Sequence, residues 1–137
     1  MNSSSDSKNC RIYFYLRIAV VIFWSSVLVV LSLLPNGNSL YLFSGQDKIL
    51  HFVAYLLTAW LVCRSLQLFS FSATKSVFIS VIYCTILGGV LELLQRTATH
   101  TRTAEWADML ANVAGAIFGC VIFCLLLKLS SSNDEQS

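Results

Sequence analysis

Four long apolar segments alternate with short polar stretches along the chain. They run from about Ile12 to Leu34, Lys48 to Phe69, Lys75 to Gln95 and Trp106 to Leu129. A helix needs about 20 apolar residues to cross the hydrocarbon core of a bilayer. The pattern predicts an all-α integral membrane bundle of four transmembrane helices (11–129), with polar, disordered cytoplasmic tails at 1–10 and 130–137.

Composition agrees with a membrane protein. Of the 137 residues, 56% are hydrophobic and 12% are charged, whereas soluble domains carry about 25% charged residues. A net charge of +2 without a basic stripe argues against a nucleic-acid partner. Nothing indicates a cofactor. The five cysteines do not form metal or disulfide patterns. Four of them lie in apolar runs and should be small buried side chains: Cys63, Cys84, Cys120 and Cys124. The fifth is Cys10.

The distribution of Lys and Arg predicts the orientation. One side of the bundle would hold six of these residues: Lys8, Arg11, Arg17, Arg64, Lys75 and Lys128. The other side would hold three: Lys48, Arg96 and Arg102. Cytoplasmic loops carry the excess of positive charge, so both termini should be cytoplasmic. The first segment exceeds a signal-peptide core and ends at Pro35, which favours a retained span.

The stretch DKILHFVAYLL opens the second segment with a polar face. Asp47, His51 and Tyr55 are four residues apart, so a helix stacks them on one side. The alternative for Asp47 is a helix cap alone.

The stretch GGVLELLQR closes the third segment. Gly88, Glu92 and Gln95 or Arg96 share a face by the same spacing. An ionised Glu92 without a partner, one turn inside the membrane, would cost on the order of 2 kcal/mol or more. We therefore expect it to pair with Arg102, His51 or Lys48.

The fourth segment begins with another polar stripe. Asp108, Asn112, Gly115 and Gly119 recur at steps of four, three and four. The glycines are typical of helix packing in membranes, and Gly88 should act in the same way. For Asp108 and Asn112, packing is only part of the explanation, because packing does not require a carboxylate.

The predicted orientation places these polar groups at similar depths. His51, Glu92 and Asp108 would each lie about one turn below the outer surface, and Tyr55, Gly88 and Asn112 about two turns. The sequence therefore predicts an outward-facing polar site. An arginine from the loop RTATHTRTAEW could pair with its carboxylates, although a solvated loop is the simpler alternative.

Five features occur in order from about Leu31 to Gly119: SLLP, DKILHFVAYLL, GGVLELLQ, an arginine loop and DMLANVAGAIFG. Together they resemble the VanZ-like family. The resemblance implies a bacterial inner-membrane protein, and the founding member is associated with low-level resistance to the glycopeptide teicoplanin. No general activity is established for the family. The loop TATHT departs from the shorter Pro-Gly-Arg-like turn of the family, and the resemblance assigns Arg102 rather than Arg96 to the site. The family pattern falls on Asp47, Lys48, His51, Tyr55, Glu92, Gln95, Arg102, Asp108, Asn112 and Gly115.

Three functions follow as hypotheses. In the first, the site binds or processes an envelope molecule such as a polyprenyl phosphate or a cell-wall precursor. His51, Glu92 and Asp108 would then move protons, Lys48 and Arg102 would hold a phosphate, and further contacts would come from Asp47, Tyr55, Gln95 and Asn112.

The second hypothesis is a small proton-coupled exporter that acts as a dimer, with Glu92 titrating. The third is a structural module in which a buried ion network fixes the helix register. Membrane lipids would be partners in every case. The pattern is compatible with either a monomer or a homo-oligomer. His51, Glu92 and Asp108 are metal-ligand types, but their spacing matches no metal motif, so no metal is expected.

Overall fold

Four helices make up the described part of the chain. The computed structural model describes residues 3–33, 45–98 and 106–134. Helix α1 spans Ser3–Leu33, α2 Gln46–Leu66, α3 Ala73–Ala98 and α4 Trp106–Asp134, and a 3₁₀ turn, Gln67–Phe69, follows α2. The four candidate membrane spans are 23 to 28 residues long, that of α2 including the 3₁₀ turn, and each is long and apolar enough to cross a membrane. No strand occurs in these ranges, and the predicted all-α membrane bundle is confirmed.

The two outer helices extend further than the apolar pattern suggests. Helix α1 already begins at Ser3, and α4 continues to Asp134. The expectation of disorder is therefore wrong for the described residues of the two polar tails. Once an apolar segment is helical, each neighbouring residue adds a hydrogen bond without a new nucleation cost.

Helix α2 lies at the centre of the bundle and packs most extensively against α4. Two glycines of α4 make this contact close. A Cβ at Gly115 would collide with the Phe52 carbonyl oxygen, and a Cβ at Gly119 would collide with the Leu56 carbonyl oxygen. Without side chains at these two positions, the backbones of α2 and α4 can touch.

The core continues below this contact with small and aromatic side chains from α2, α3 and α4. Three cysteines are buried there, and the sulfur atoms of Cys63 and Cys120 lie 3.8 Å apart. Cys124 is exposed, so the expectation of burial is wrong for this residue. Successive residues of a helix point about 100° apart, and Phe123 takes the inward position of that turn.

Helix α1 lies at the side of the bundle, against α2 and α3. Among residues 11–33 of this helix, Leu28 is the only buried side chain. Polar contacts hold the helix instead: the Trp24 indole N–H donates to Thr58 Oγ1 at 3.0 Å, and the Ser25 and Tyr83 hydroxyls lie 2.8 Å apart. Loose apolar packing of α1 leaves space between it and its neighbours.

Candidate functional site

The helices alternate in direction, so α1 and α3 end where α2 and α4 begin. Gln95, near the end of α3, donates from Nε2 to the Ser32 carbonyl oxygen of α1 at 3.0 Å. Lys48 and Asp108, near the starts of α2 and α4, form an ion pair. We call this the polar end of the bundle. The described residues that sequence analysis proposes for catalysis and substrate binding all lie within about three turns of it.

His51 is oriented by a hydrogen bond along α2. Its Nδ1–H donates to the Asp47 carbonyl oxygen at 2.8 Å. A carbonyl oxygen can only accept, so Nδ1 is the donor, and in the neutral form of the ring Nε2 is left as an acceptor. With Tyr55 one turn further, the three side chains line one cavity, as their spacing of four residues predicts.

Asp47 is not the N-cap residue of α2. That position is Gly45, whose φ of 89° is left-handed and which has no side chain to cap the helix. The amide of Lys48 instead donates to the Gly45 carbonyl oxygen at 3.1 Å. Asp47 lies in the first turn, where its carboxylate is close to the backbone amides of Asp47 and Lys48, so stabilisation of the helix start stays one explanation for this residue.

Lys48 is shared between two carboxylates. Its Nζ lies 3.4 Å from Asp47 Oδ2 and 3.7 Å from Asp108 Oδ1. The side chain of Lys48 is 37% exposed and that of Asp108 only 12%. The ammonium group thus joins the first turns of α2 and α4 and neutralises part of their negative charge.

One turn deeper, Tyr55 and Asn112 meet over Gly88. A Cβ at Gly88 would lie 3.0 Å from Asn112 Nδ2 and 3.3 Å from the Tyr55 hydroxyl. Tyr55 and Asn112 are 2% and 3% exposed, and neither the Tyr55 hydroxyl nor Asn112 Oδ1 has a hydrogen-bond partner within the described ranges. Buried polar atoms are normally bonded to protein or water, so this place suits a polar atom of a ligand or a water.

Glu92 lies on the same face of α3 as Gly88, one turn nearer the polar end, and is half-buried. Its carboxylate is close enough to the Tyr55 hydroxyl to act on it electrostatically. Arg102 and His100 lie outside the described residues, as does the side chain of Arg96. The pairing of Glu92 with Arg102, and the choice between the two arginines, stay predictions.

A cavity of about 310 Å³ opens between α1, α2 and α3 at the polar end. Most of its wall is apolar, and its polar lining comes mainly from Asp47, His51 and Gln95. Trp24, bonded to Thr58, also lines it. Drug-sized ligands occupy sites of roughly 300–1,000 Å³ with mostly apolar walls and a few polar groups. The remaining lining residues are Leu28, Leu31, Ser32, Leu50, Val53, Ala54, Tyr55, Leu57 and Leu91.

The three residues expected to move protons do not share this cavity. His51 lines it, whereas Glu92 and Asp108 are absent from its wall. Asp108 belongs instead to the ion pair with Lys48. Within the described ranges, no three His, Cys, Asp or Glu side chains are grouped as a metal ion would require. Tyr55 connects the two regions, because it lines the cavity and its hydroxyl, like the Asn112 amide, lies beside Gly88.

The contribution of α1 to the cavity was not predicted from the sequence. Trp24, Leu28 and Ser32 all line the cavity, and they repeat at the same spacing of four residues as the polar face of α2. That repeat was the available signal. It is weak, because an indole, an isobutyl group and a hydroxyl do not form a recognisable chemical set.

Comparison with known proteins identifies the family of this chain. The model of the VanZ/LLP1 family matches residues 5–127, which includes most of all four helices. No curated protein and no solved structure matches the chain. With four helices able to span a bilayer and a family match over most of its length, this multi-pass membrane protein belongs to the VanZ/LLP1 family.

Proposed function

We propose that the protein binds an amphiphile of the bacterial cell envelope, either a lipid or a lipid-linked cell-wall precursor, at the polar end of the bundle. The observation that carries this proposal is the cavity between α1, α2 and α3. Its apolar walls suit an alkyl or isoprenoid chain, and the polar groups at one end suit a head group. An amphiphile in a bilayer has the same division between chain and head.

His51 is the residue best suited to chemistry on a bound head group. Its Nδ1–H is held by the Asp47 carbonyl oxygen, so Nε2 would accept a hydrogen bond or a proton from the ligand. Glu92 and Asp108 would act from the neighbouring α3–α4 side, through the polar contact around Tyr55. Binding is the primary function in this proposal, and proton transfer would follow it.

We place the protein in the cytoplasmic membrane of a bacterium, with both termini in the cytoplasm and the polar end outward. Arg17 and Arg64 support this orientation. The Arg17 guanidinium donates from Nη1 to the Arg64 carbonyl oxygen at 2.8 Å, at the opposite end of the bundle. Clustered arginines are typical of the cytoplasmic side.

Outward exposure would give the site access to lipid-linked precursors, which glycopeptide antibiotics also meet outside the membrane. A contribution to teicoplanin resistance would follow, in line with the association of the VanZ-like family. The assay is therefore glycopeptide sensitivity of a strain that lacks the gene, complemented with variants of the protein.

Ala54→Phe tests the cavity directly, because Ala54 lines it and a phenyl ring would occupy the space of the chain. Ala19→Phe is the matched control, since Ala19 is exposed on α1 and lies outside the lining. We expect Ala54→Phe to lose complementation and Ala19→Phe to retain it, both at wild-type membrane levels. Full complementation by a well-expressed Ala54→Phe protein would refute amphiphile binding in this cavity.

A structural module is the second candidate, and the position of Lys48 between Asp47 and Asp108 favours it. An ion network of this kind can fix the register of two helices without binding a ligand. The two candidates differ in how isosteric substitutions should affect stability, as described in the Discussion.

A further inference from the structure

We infer that the cavity selects an amphiphile whose head group donates hydrogen bonds and carries no negative charge, such as a hydroxyl or a protonated amine. The inference rests on the proposed function and narrows its ligand. It departs from the expectation of a phosphate head, which depended on Lys48 and Arg102.

The first support is the charge of the lining. Of the described residues that line the cavity, none is Lys or Arg, and one, Asp47, is acidic. An ionised carboxylate offers about four acceptor positions and no donor. The Asp47 side chain is 27% exposed, and Lys48 contacts its Oδ2 at 3.4 Å. A phosphate placed beside this carboxylate would be repelled, whereas a hydroxyl or an ammonium group would be bound.

The second support is the direction of the imidazole. Because Nδ1–H of His51 donates to the backbone of its own helix, the neutral ring presents an acceptor, Nε2, on its other side. Asp47 and His51 lie one turn apart on the same face and line the same cavity. Two neighbouring acceptors are complementary to a head group that donates.

The third support is the position of Lys48. This cation is absent from the cavity lining, and its ammonium nitrogen lies within 4 Å of two carboxylates, on α2 and α4. A phosphate that recruited Lys48 would have to compete with both. The positive charge expected to hold an anionic head is therefore held between Asp47 and Asp108 and does not itself line the cavity.

Trp24 provides a local probe for the test. It lines the cavity, and bromine quenches tryptophan fluorescence on contact. The full-length protein is reconstituted in phosphatidylcholine nanodiscs and titrated at neutral pH with three alkyl probes of equal chain length, brominated at the chain end: an alcohol, an amine and a monophosphate. Trp24→Phe removes the reporter. Trp106→Phe is the matched control, because Trp106 is 82% exposed and lies outside the lining.

We expect the alcohol and the amine to quench Trp24 at bilayer mole fractions about tenfold lower than the phosphate. A tenfold difference in affinity corresponds to the contribution of about one hydrogen bond to a charged group. Asp47→Asn should reduce the difference between amine and phosphate. Equal or stronger quenching by the phosphate, or a difference unchanged in Asp47→Asn, would overturn the inference and leave amphiphile binding intact. If no probe quenches Trp24 above the Trp24→Phe background, the proposed function fails as well.

Discussion

The ammonium nitrogen of Lys48 lies 3.7 Å from Oδ1 of Asp108, and this ion pair joins the first turn of α2 to the first turn of α4. The same ammonium lies 3.4 Å from Asp47. Removing the charge of Asp108 would therefore leave Lys48 with a second carboxylate. This arrangement makes it feasible to change the site without unfolding the protein.

Asp108→Asn and Glu92→Gln should abolish complementation in the glycopeptide assay while thermal stability changes little. Lys48 is 37% exposed, so solvent screens its pair with Asp108. The cost of removing one partner should be nearer the ~1 kcal/mol of a surface pair than the ~3–5 kcal/mol of a fully buried one. The measurements are membrane yield and melting temperature in detergent, together with complementation.

Two other outcomes separate the candidate functions. A fall in yield and melting temperature along with complementation would favour the structural module. If both variants express well and fully complement the deletion, the catalytic and ligand-binding roles of these carboxylates are refuted together.

Gly115→Ala should destabilise the bundle strongly. The added methyl group would collide with the Phe52 carbonyl oxygen, and backbone cannot move aside as a flexible side chain can. Gly89→Ala is the matched control, because its nearest neighbour would be Met109 Cε at 3.9 Å, an ordinary contact. Alanine is favoured over glycine in a helix by up to about 1 kcal/mol. We expect a lower melting temperature for Gly115→Ala and an equal or higher one for Gly89→Ala; equal stability of the two variants would contradict the close α2–α4 contact.

Tyr55→Phe should leave stability unchanged or raise it, but reduce function. The Tyr55 hydroxyl is buried and has no hydrogen-bond partner in the described part of the chain, and such a group costs about 1–3 kcal/mol. Tyr83→Phe is the contrasting variant, because it removes the 2.8 Å hydrogen bond to Ser25 and should cost about 1 kcal/mol. Thermal unfolding and complementation distinguish the two. A Tyr55→Phe protein that is both less stable and fully active would show that this hydroxyl serves the fold.

The termini should both be cytoplasmic. Lys and Arg are more numerous on the side of the bundle that holds the termini, and the positive-inside rule assigns that side to the cytoplasm. A fusion after Ser137 should be active with a reporter that works in the cytoplasm and inactive with one that works in the periplasm. The reverse result would turn the polar end toward the cytoplasm. The cavity would then meet inner-leaflet lipids, and the link to extracellular glycopeptides would be lost.

Much of the architecture was predictable because a bilayer imposes a simple rule. Backbone groups in hydrocarbon must be bonded within their own segment, so four apolar runs of sufficient length specify four helices. Helix periodicity then brings Asp47, His51 and Tyr55 onto one face without reference to any neighbour. The helical parts of the two polar tails were less predictable, since helix propagation beyond an apolar run depends on local cooperativity and leaves no hydrophobic pattern.

The sequence by itself determined the helices, their polar faces and their glycine positions, because these depend on contacts between residues close in the chain. Only the tertiary structure decided which faces meet. It directs Lys48 to Asp108, places Tyr55 and Asn112 over Gly88, and opens the cavity between α1, α2 and α3. These relationships depend on how the packed helices are rotated and how closely they approach. Spacing within a single helix carries no information about either, which is why the contribution of α1 was missed.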